Sequence, residues 1–394
     1  MEDQKILIVG AGIGGLAAAS CLLKAGYDVE IYEQAPELGE IGAGIQLSAN
    51  AMHVLNYLGI GDAVSEISVR PAAYVFRLFD TAEIVQQFSL SEEHERLHRA
   101  PYNQIHRADF HELLAARARE LKSDVIHLDK MVVDVEEREG SVELHFADGT
   151  AADGDLLIGA DGVKSIVRDR ILGMVSATYT GDGAWRVTVP TERLPPGFMS
   201  QVMSVWMGPG RHAVSYYIRG GSLLNFVGCV ETDEVSEESW TAKFPWDKFK
   251  ADFEGWHQDV RTIIDLADKD QCFRWSLHTR PTTETWSTRR VTILGDAAHA
   301  TLPYLAQGAA MAIEDGAVLA RALKHCNSDA EALQLYQRNR YSRTNRIVEQ
   351  SMTNRTLFHL RSEQEIRAAF ANRSEGDDRN TWLYSYNPLT VPLN

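Results

Sequence analysis

The sequence predicts an α/β fold in three parts: a parallel sheet covered by helices, a mostly antiparallel sheet, and a helical C-terminus. Three observations support it. Residues 5–9, KILIV, are an apolar run, followed by GAGIGG, the alanine-rich LAAASCLLKAGY and a second run, DVEIYEQ. That order is a β-α-β unit whose strands are apolar enough to be buried on both faces. Residues 175–275 then become strand-rich and tryptophan-rich, and the stretch from Asp329 to about Leu360 reads as helix.

Local pattern supplies the elements between these landmarks. The first helix ends at Gly26, and residues 49–58, ANAMHVLNYL, make an amphipathic helix behind a cap at Ser48. Residues 74–88, YVFRLFDTAEIVQQF, alternate around Asp80-Thr81 and predict a hairpin. HRADFHELLAARAREL is helical. SVELHFADGTAADGDLLIGADG predicts a hairpin turning at Asp148-Gly149, then a buried strand. VTILGDAAH is a further apolar strand with a helix from about Gly308, and the polar residues 362–378 predict a loop.

The totals narrow the function classes. A chain of 394 residues suits two or three domains. A net charge of −16 disfavours nucleic acid and anionic lipid, both of which need basic surface. Cys21, Cys229, Cys272 and Cys326 are scattered without a C-x-x-C, so neither a disulfide framework nor a zinc ribbon is expected. No basic segment precedes the first apolar run, and no run is long enough to span a bilayer. A cytoplasmic protein with no membrane or nucleic-acid partner is expected, as a monomer or homodimer.

Gly10-x-Gly12-x-x-Gly15 joins the first strand to the first helix. Gly10 allows the tight turn, Gly12 lets the backbone approach a pyrophosphate, and Gly15 lets helix and sheet pack closely. The diphosphate then meets the unpaired N–H groups of a helix N-terminus. Glu33 ends the second strand, near the spacing of an acid that binds ribose hydroxyls. The motif implies a dinucleotide without separating NAD from FAD.

Two later motifs narrow that choice. The first is Asp155-Leu-Leu-Ile-Gly-Ala-Asp161-Gly162-Val-Lys-Ser165. The second is Leu294-Gly295-Asp296-Ala-Ala-His299-Ala-Thr-Leu-Pro303-Tyr304-Leu-Ala-Gln307-Gly308. With the N-terminal glycines they resemble the single-component, FAD-dependent aromatic hydroxylases (class A flavoprotein monooxygenases) across almost the whole chain. The resemblance implies a discontinuous Rossmann-like FAD-binding domain over 1–73, 100–175 and 276–328. A mostly antiparallel substrate domain would cover 74–99 and 176–275, and a helical segment 329–394. It implies that Asp296 holds the FAD ribityl chain, that Asp161 lies where the FAD and nicotinamide sites meet, and that Arg107 of His106-Arg107-x-Asp109 lies against FAD. The helix begun by Gln307-Gly308-Ala309 offers N–H groups to negative charge on reduced flavin. The cofactors implied are non-covalent FAD, transient NADH or NADPH, and O₂, with oxygen transferred from a C4a-hydroperoxyflavin.

Arg211-His212-Ala-Val-Ser-Tyr216-Tyr-Ile-Arg-Gly220-Gly221 reads as a strand running into a Gly-Gly turn. At period two, His212, Val214, Tyr216 and Ile218 share one face and Tyr217 takes the other. A His and a Tyr so placed suit ionisation of a substrate hydroxyl, which makes the ring a better nucleophile. The strand alone also fits a His and Tyr satisfied within the sheet. The resemblance favours the catalytic reading, because this spacing matches the branch with 6-hydroxynicotinate 3-monooxygenase, 3-hydroxybenzoate 6-hydroxylase and salicylate hydroxylase-like proteins. It also implies a substrate pocket at Gln46, Tyr102, Pro303 and Tyr304, and small hydroxylated aromatic or pyridine carboxylates as substrates.

One motif points elsewhere. His94-Glu95-Arg96-Leu97-His98 matches the H-E-x-x-H of zinc hydrolases. It lacks a buried apolar stripe and a third ligand, so it is expected to be a solvated, charged turn without metal. Besides the zinc hydrolase, a flavoprotein that oxidises or reduces its ligand without ring hydroxylation stays open.

Overall fold

The computed structural model describes residues 4–39, 43–173, 177–235, 243–281, 283–371 and 380–394. A parallel five-stranded sheet lies at its centre, in the order Val291–Ile293, Leu156–Gly159, Lys5–Val9, Asp28–Tyr32, Ile126–His127. Ile6, Leu7 and Ile8 are fully buried, as strands covered on both faces require. The helices Ile13–Lys24, Arg107–Leu121 and Gly308–His325 cover this sheet, and the 30-residue helix Asp329–Phe358 packs on the last of them.

The glycine turn matches its expected roles. Gly10 has φ +100°, and its N–H donates to Tyr32 O across the strand pair. A Cβ at Gly15 would lie 2.0 Å from Gly10 O, so no side chain fits where the helix leaves the sheet.

A seven-stranded sheet runs in the order Phe273–Thr279, Thr178–Pro190, Leu223–Glu231, Arg211–Ile218, Met203–Gly208, Ala73–Leu78, Ile84–Ser89. It is antiparallel except where Met203–Gly208 pairs with Ala73–Leu78. Period two divides its side chains. Trp185, Trp206, Tyr217, Phe226, the helix residue Phe249 and Phe253 just past that helix form a second core on one face. Arg186, His212, Val214, Tyr216, Val227 and Cys229 turn to a cavity on the other. The hairpins at Asp80-Thr81 and Asp148-Gly149 form as expected.

Three expectations are corrected. Ser48 stands at the start of the Ala49–Leu58 helix, but its hydroxyl does not cap it; it donates to Asn50 Oδ1 and accepts from Gln307 Nε2. Residues 363–371 of the expected loop are helix, because Ile366 and Phe370, one turn apart, bury one face; residues 372–379 lie outside the described residues.

The largest difference concerns His94 and His98. They lie on the Glu92–His98 helix and are only 3% and 8% exposed, whereas Leu97 faces solvent. The spacing does put both imidazoles on one face, but that face is covered by Tyr102 and Tyr384. His98 Nδ1 lies 2.6 Å from Ser385 Oγ, and burial pushes the His94 pKa down to about 3. The glutamates take the outer face and gave the segment its polar appearance. Among the described residues, the His, Cys and carboxylate atoms close enough to share an ion belong to Glu136, Glu143 and His145 instead.

Candidate active site

A cavity of about 300 Å³ separates the parallel domain from the seven-stranded sheet. Two helix N-termini open onto it. Gly12, Ile13 and Gly14 begin one helix, and Gly308 and Ala309 begin the other. Neither has a side-chain cap or an acid in its first turn. Their first N–H groups therefore keep hydrogen-bonding capacity and a positive partial charge aimed into the cavity. A Cβ at Gly12 would meet nothing within 4 Å, so open space lies over that backbone.

Buried polar chemistry holds the second helix in place. Glu314 and Asp315 are fully buried, and Arg340 and Arg343 reach them from the Asp329–Phe358 helix. Asp315 also accepts from Gly295 N at 2.9 Å and lies 2.6 Å from His299 Nε2. Its basic neighbours pull its pKa down to about 2 against the effect of burial. This fixes the turn that presents Asp296 to the cavity. Asp296 lines the cavity, and desolvation raises its pKa.

The remaining expected cofactor residues divide. Arg107 lines the cavity. Asp161 does not; it accepts from Ser165 Oγ at 2.5 Å and Val167 N at 3.1 Å, shaping a turn whose Gly162 does line it. Glu33 accepts from Ala11 N at 2.8 Å and Ala35 N at 3.0 Å, bracing the glycine turn. The Gln307 side chain is buried between Ser48 and Asn50.

The residues expected on the substrate side converge. His212, Tyr216, Gln46, Pro303 and Tyr304 all line the cavity. Tyr102 stands behind them and donates to Gln46 Oε1 at 2.5 Å. Gln46 also hydrogen-bonds Tyr216, whose pKa burial pushes up to about 12. A Cβ at Gly44 would lie 2.6 Å from the Tyr216 ring, so only glycine lets the tyrosine sit there. Burial and the neighbouring His359 hold the His212 pKa well below 6.5. His212 is thus a neutral imidazole at pH 7, and Tyr216 a protonated phenol.

Two uncapped helix ends suit a diphosphate and a ring that gains negative charge, and Asp296 suits a sugar hydroxyl. The residues present fit FAD. The model of the FAD binding domain family matches residues 3–351.

The chain belongs to that family of FAD-binding flavoproteins. It is 35% identical to a 6-hydroxynicotinate 3-monooxygenase of Pseudomonas fluorescens, over 100% of this chain and 97% of the relative. It is 37% identical to a 3-hydroxybenzoate 6-hydroxylase of Polaromonas naphthalenivorans, over 98% and 96%. Among solved structures it resembles Klebsiella pneumoniae HpxO complexed with FAD and uric acid, with a TM-score of 0.83 at 27% identity, over 95% of this chain and 94% of the other. Among the described residues, no helix of the flavoprotein is long and apolar enough to cross a membrane.

Several site residues of this flavoprotein escaped the reading of its sequence. Arg186 lines the cavity from the Thr178–Pro190 strand, with its guanidinium over the Trp275 ring at 4.9 Å. Its signal was a lone cation at an alternating strand position, GDGAWRVTV. Asp182, fully buried on the same strand, accepts from Tyr304 Oη at 2.7 Å. Asn225 accepts from Gly44 N at 2.7 Å and so locks the Gly44–Leu47 strand to the seven-stranded sheet. His359 closes on His212 from the end of the longest helix, and nothing local marked it.

Proposed function

We propose that this flavoprotein is a single-component, NAD(P)H- and O₂-dependent hydroxylase of a small hydroxylated aromatic or pyridine carboxylate. One observation carries the reading: His212, Tyr216 and Gln46 line the same cavity as Gly12, Asp296 and Gly308. A base for a substrate hydroxyl and a seat for FAD therefore face one space. The names of the relatives, which act on 6-hydroxynicotinate and 3-hydroxybenzoate, support the substrate class.

When bound, FAD would supply the hydride acceptor and the O₂ chemistry. Gly10, Gly12 and Gly15 would shape the turn that holds its diphosphate, and Glu33, which braces that turn, would hold the ribose. Asp296 would hold a ribityl hydroxyl, Arg107 and Gly162, whose turn Asp161 shapes, would meet the cofactor, and Gln307 would hold the Gly308-Ala309 N–H groups toward it. Neutral His212 removes the substrate's hydroxyl proton, which raises electron density on the ring. Tyr216, kept a phenol and steadied by Gln46 and Tyr102, donates to the resulting oxyanion. Arg186 offsets negative charge in the cavity, and Pro303 and Tyr304 close its rim. Met203, Val214, Val227, Leu302 and Phe358 give it apolar walls that exclude water.

On this reading residues 1–73, 100–175 and 276–328 bind FAD, 74–99 and 176–275 carry the substrate, and 329–394 form the C-terminal helical segment. The four unpaired thiols support a reducing, cytoplasmic setting.

The test is stopped-flow reduction of the bound flavin by NADH or NADPH with 6-hydroxynicotinate, 3-hydroxybenzoate and salicylate. At least one should accelerate reduction and be hydroxylated. Reduction indifferent to all three, with no hydroxylated product, would contradict the reading.

A further inference from the structure

We propose that His359 and Glu231 complete, with His212, a relay that carries the proton removed from the substrate hydroxyl out of the closed cavity. The proposal rests on the reading of His212 as the base. The three residues come from separate elements: His212 from the strand Arg211–Ile218, Glu231 from the end of the strand Leu223–Glu231, and His359 from just past the helix Asp329–Phe358.

The geometry forms a continuous line. His212 Nδ1 lies 2.8 Å from His359 Nε2, and His359 Nδ1 lies 3.2 Å from Glu231 Oε1. His212 and His359 are 1% and 4% exposed. The Glu231 carboxylate is 28% exposed and pairs with Arg361, whose side chain is 66% exposed. One end of the line faces the cavity and the other faces water.

Proton positions follow from the carboxylate. An ionised carboxylate only accepts, so His359 Nδ1 must carry the proton it donates to Glu231. In neutral His359, Nε2 is then the acceptor, and His212 Nδ1–H donates to it. That leaves His212 Nε2 with a free lone pair on a ring that lines the cavity. Glu231 thus sets the tautomer of both rings and makes His212 a base toward the substrate.

The step balances without any other reactant. The substrate O–H breaks as His212 Nε2–H forms, and His212 Nδ1–H breaks as His359 Nε2–H forms. His359 Nδ1–H breaks as an O–H forms on Glu231, which releases a proton to water. The sequence runs backward when the product oxygen is reprotonated, which restores both tautomers. No charge need stay on either imidazole, and the one negative charge left in the cavity is that of the substrate oxyanion.

The surroundings suit a neutral wire. Tyr304, Phe358 and Cys229 stand near the His212 ring, and burial and His359 lower its pKa. On His359, burial lowers the pKa, Asp182 and Glu231 oppose that, and Arg355 lowers it further. Two imidazoles make a poor purely apolar filling, because each buried nitrogen needs a partner. Here the partners form a path.

Two measurements on the FAD-loaded protein test the relay. In spectra of ¹⁵N-histidine-labelled protein at neutral pH, His212, assigned by its loss in His212→Ala, should carry its proton on Nδ1, and Glu231→Ala should shift it toward Nε2. A wild-type proton on Nε2, or no change in the variant, would overturn the proposal. Hydroxylated product is then measured against pH, using whichever of the three panel compounds is turned over. His359→Phe and Glu231→Gln should keep FAD and lose about 10²-fold near pH 7, the low end of general-base effects. Both should recover as pH nears the phenol's own pKa, about 10, where substrate arrives ionised. A loss that persists at high pH means a structural role and overturns the relay. Wild-type rates in both variants, with His212→Ala impaired, overturn the relay but leave the base. Wild-type rates in all three overturn the base as well.

Discussion

The Tyr304 hydroxyl donates to Asp182 Oδ2 at 2.7 Å, and the Arg355 guanidinium holds both oxygens of the same carboxylate. Tyr304 lines the cavity, so a buried ion pair sets the position of a pocket wall. Asp182→Ala leaves a buried phenol and a guanidinium without their acceptor. Stability should fall by about 3 kcal/mol, the low end for breaking a buried pair, because Arg355 is partly exposed. Urea unfolding of the FAD-bound protein checks this; a change under about 0.5 kcal/mol, the range of ordinary surface substitutions, would show that the pair carries little.

Asp296 is presented to the cavity by a turn fixed through Asp315 and Gly295. Asp296→Ala should weaken FAD retention by roughly 2 kcal/mol, the scale of a hydrogen bond to a charged group. Fluorescence titration of apoprotein with FAD measures it. Unchanged affinity would remove Asp296 from the cofactor site.

Acid should destabilise the protein through its buried histidines. His94 has a folded pKa of about 3, below the ordinary 6.5, and burial shifts His53, His98, His212 and His359 the same way. A depressed histidine pKa means the unfolded chain binds the extra proton. Stability is then flat above about pH 6.5 and falls as pH drops below it. For His94 alone the loss at pH 5 is about 2 kcal/mol, at about 1.4 per pH unit. His94→Phe should flatten the slope of stability between pH 6 and 4 by about one proton. An unchanged slope would mean His94 titrates normally, as in the solvated turn its charged neighbours suggested.

The parts of the fold with a strong local period were legible. Gly10 and Gly15 have a steric reason independent of distant contacts, and alternation along 211–218 placed His212 and Tyr216 on one face. What escaped depends on contacts remote in sequence. His94 and His98 are buried by Tyr384, nearly 300 positions away, and the charged neighbours Glu92, Glu93, Glu95 and Arg96 masked that face. His359 meets His212 across 147 positions and Asp182 meets Arg355 across 173, so neither pairing leaves a periodic trace. Ser48 resembled a cap because caps and buried hydrogen-bond bridges use the same residue types.

His212 and Tyr216 should separate in their effects. His212→Ala should lower product formation by about 10²–10⁴-fold with FAD retained. The acid limb of the wild-type rate profile should lie below 6.5, because the His212 pKa is depressed. Tyr216→Phe keeps the ring and loses one hydrogen bond, so its loss should be smaller, about tenfold. Product must be counted separately from NAD(P)H consumption, since hydrogen peroxide release would conceal uncoupling. Wild-type product and coupling in both variants would make the pair structural.

The central claim is that the two halves of the cavity cooperate to put oxygen from O₂ onto an aromatic ring. Mass spectrometry of product formed under ¹⁸O₂ tests it most directly. With NADH or NADPH and the best compound of the panel, the product should carry one ¹⁸O atom and form only with FAD present. A product unlabelled under ¹⁸O₂ but labelled in H₂¹⁸O, or consumption of NAD(P)H that yields only hydrogen peroxide with every compound, would contradict it.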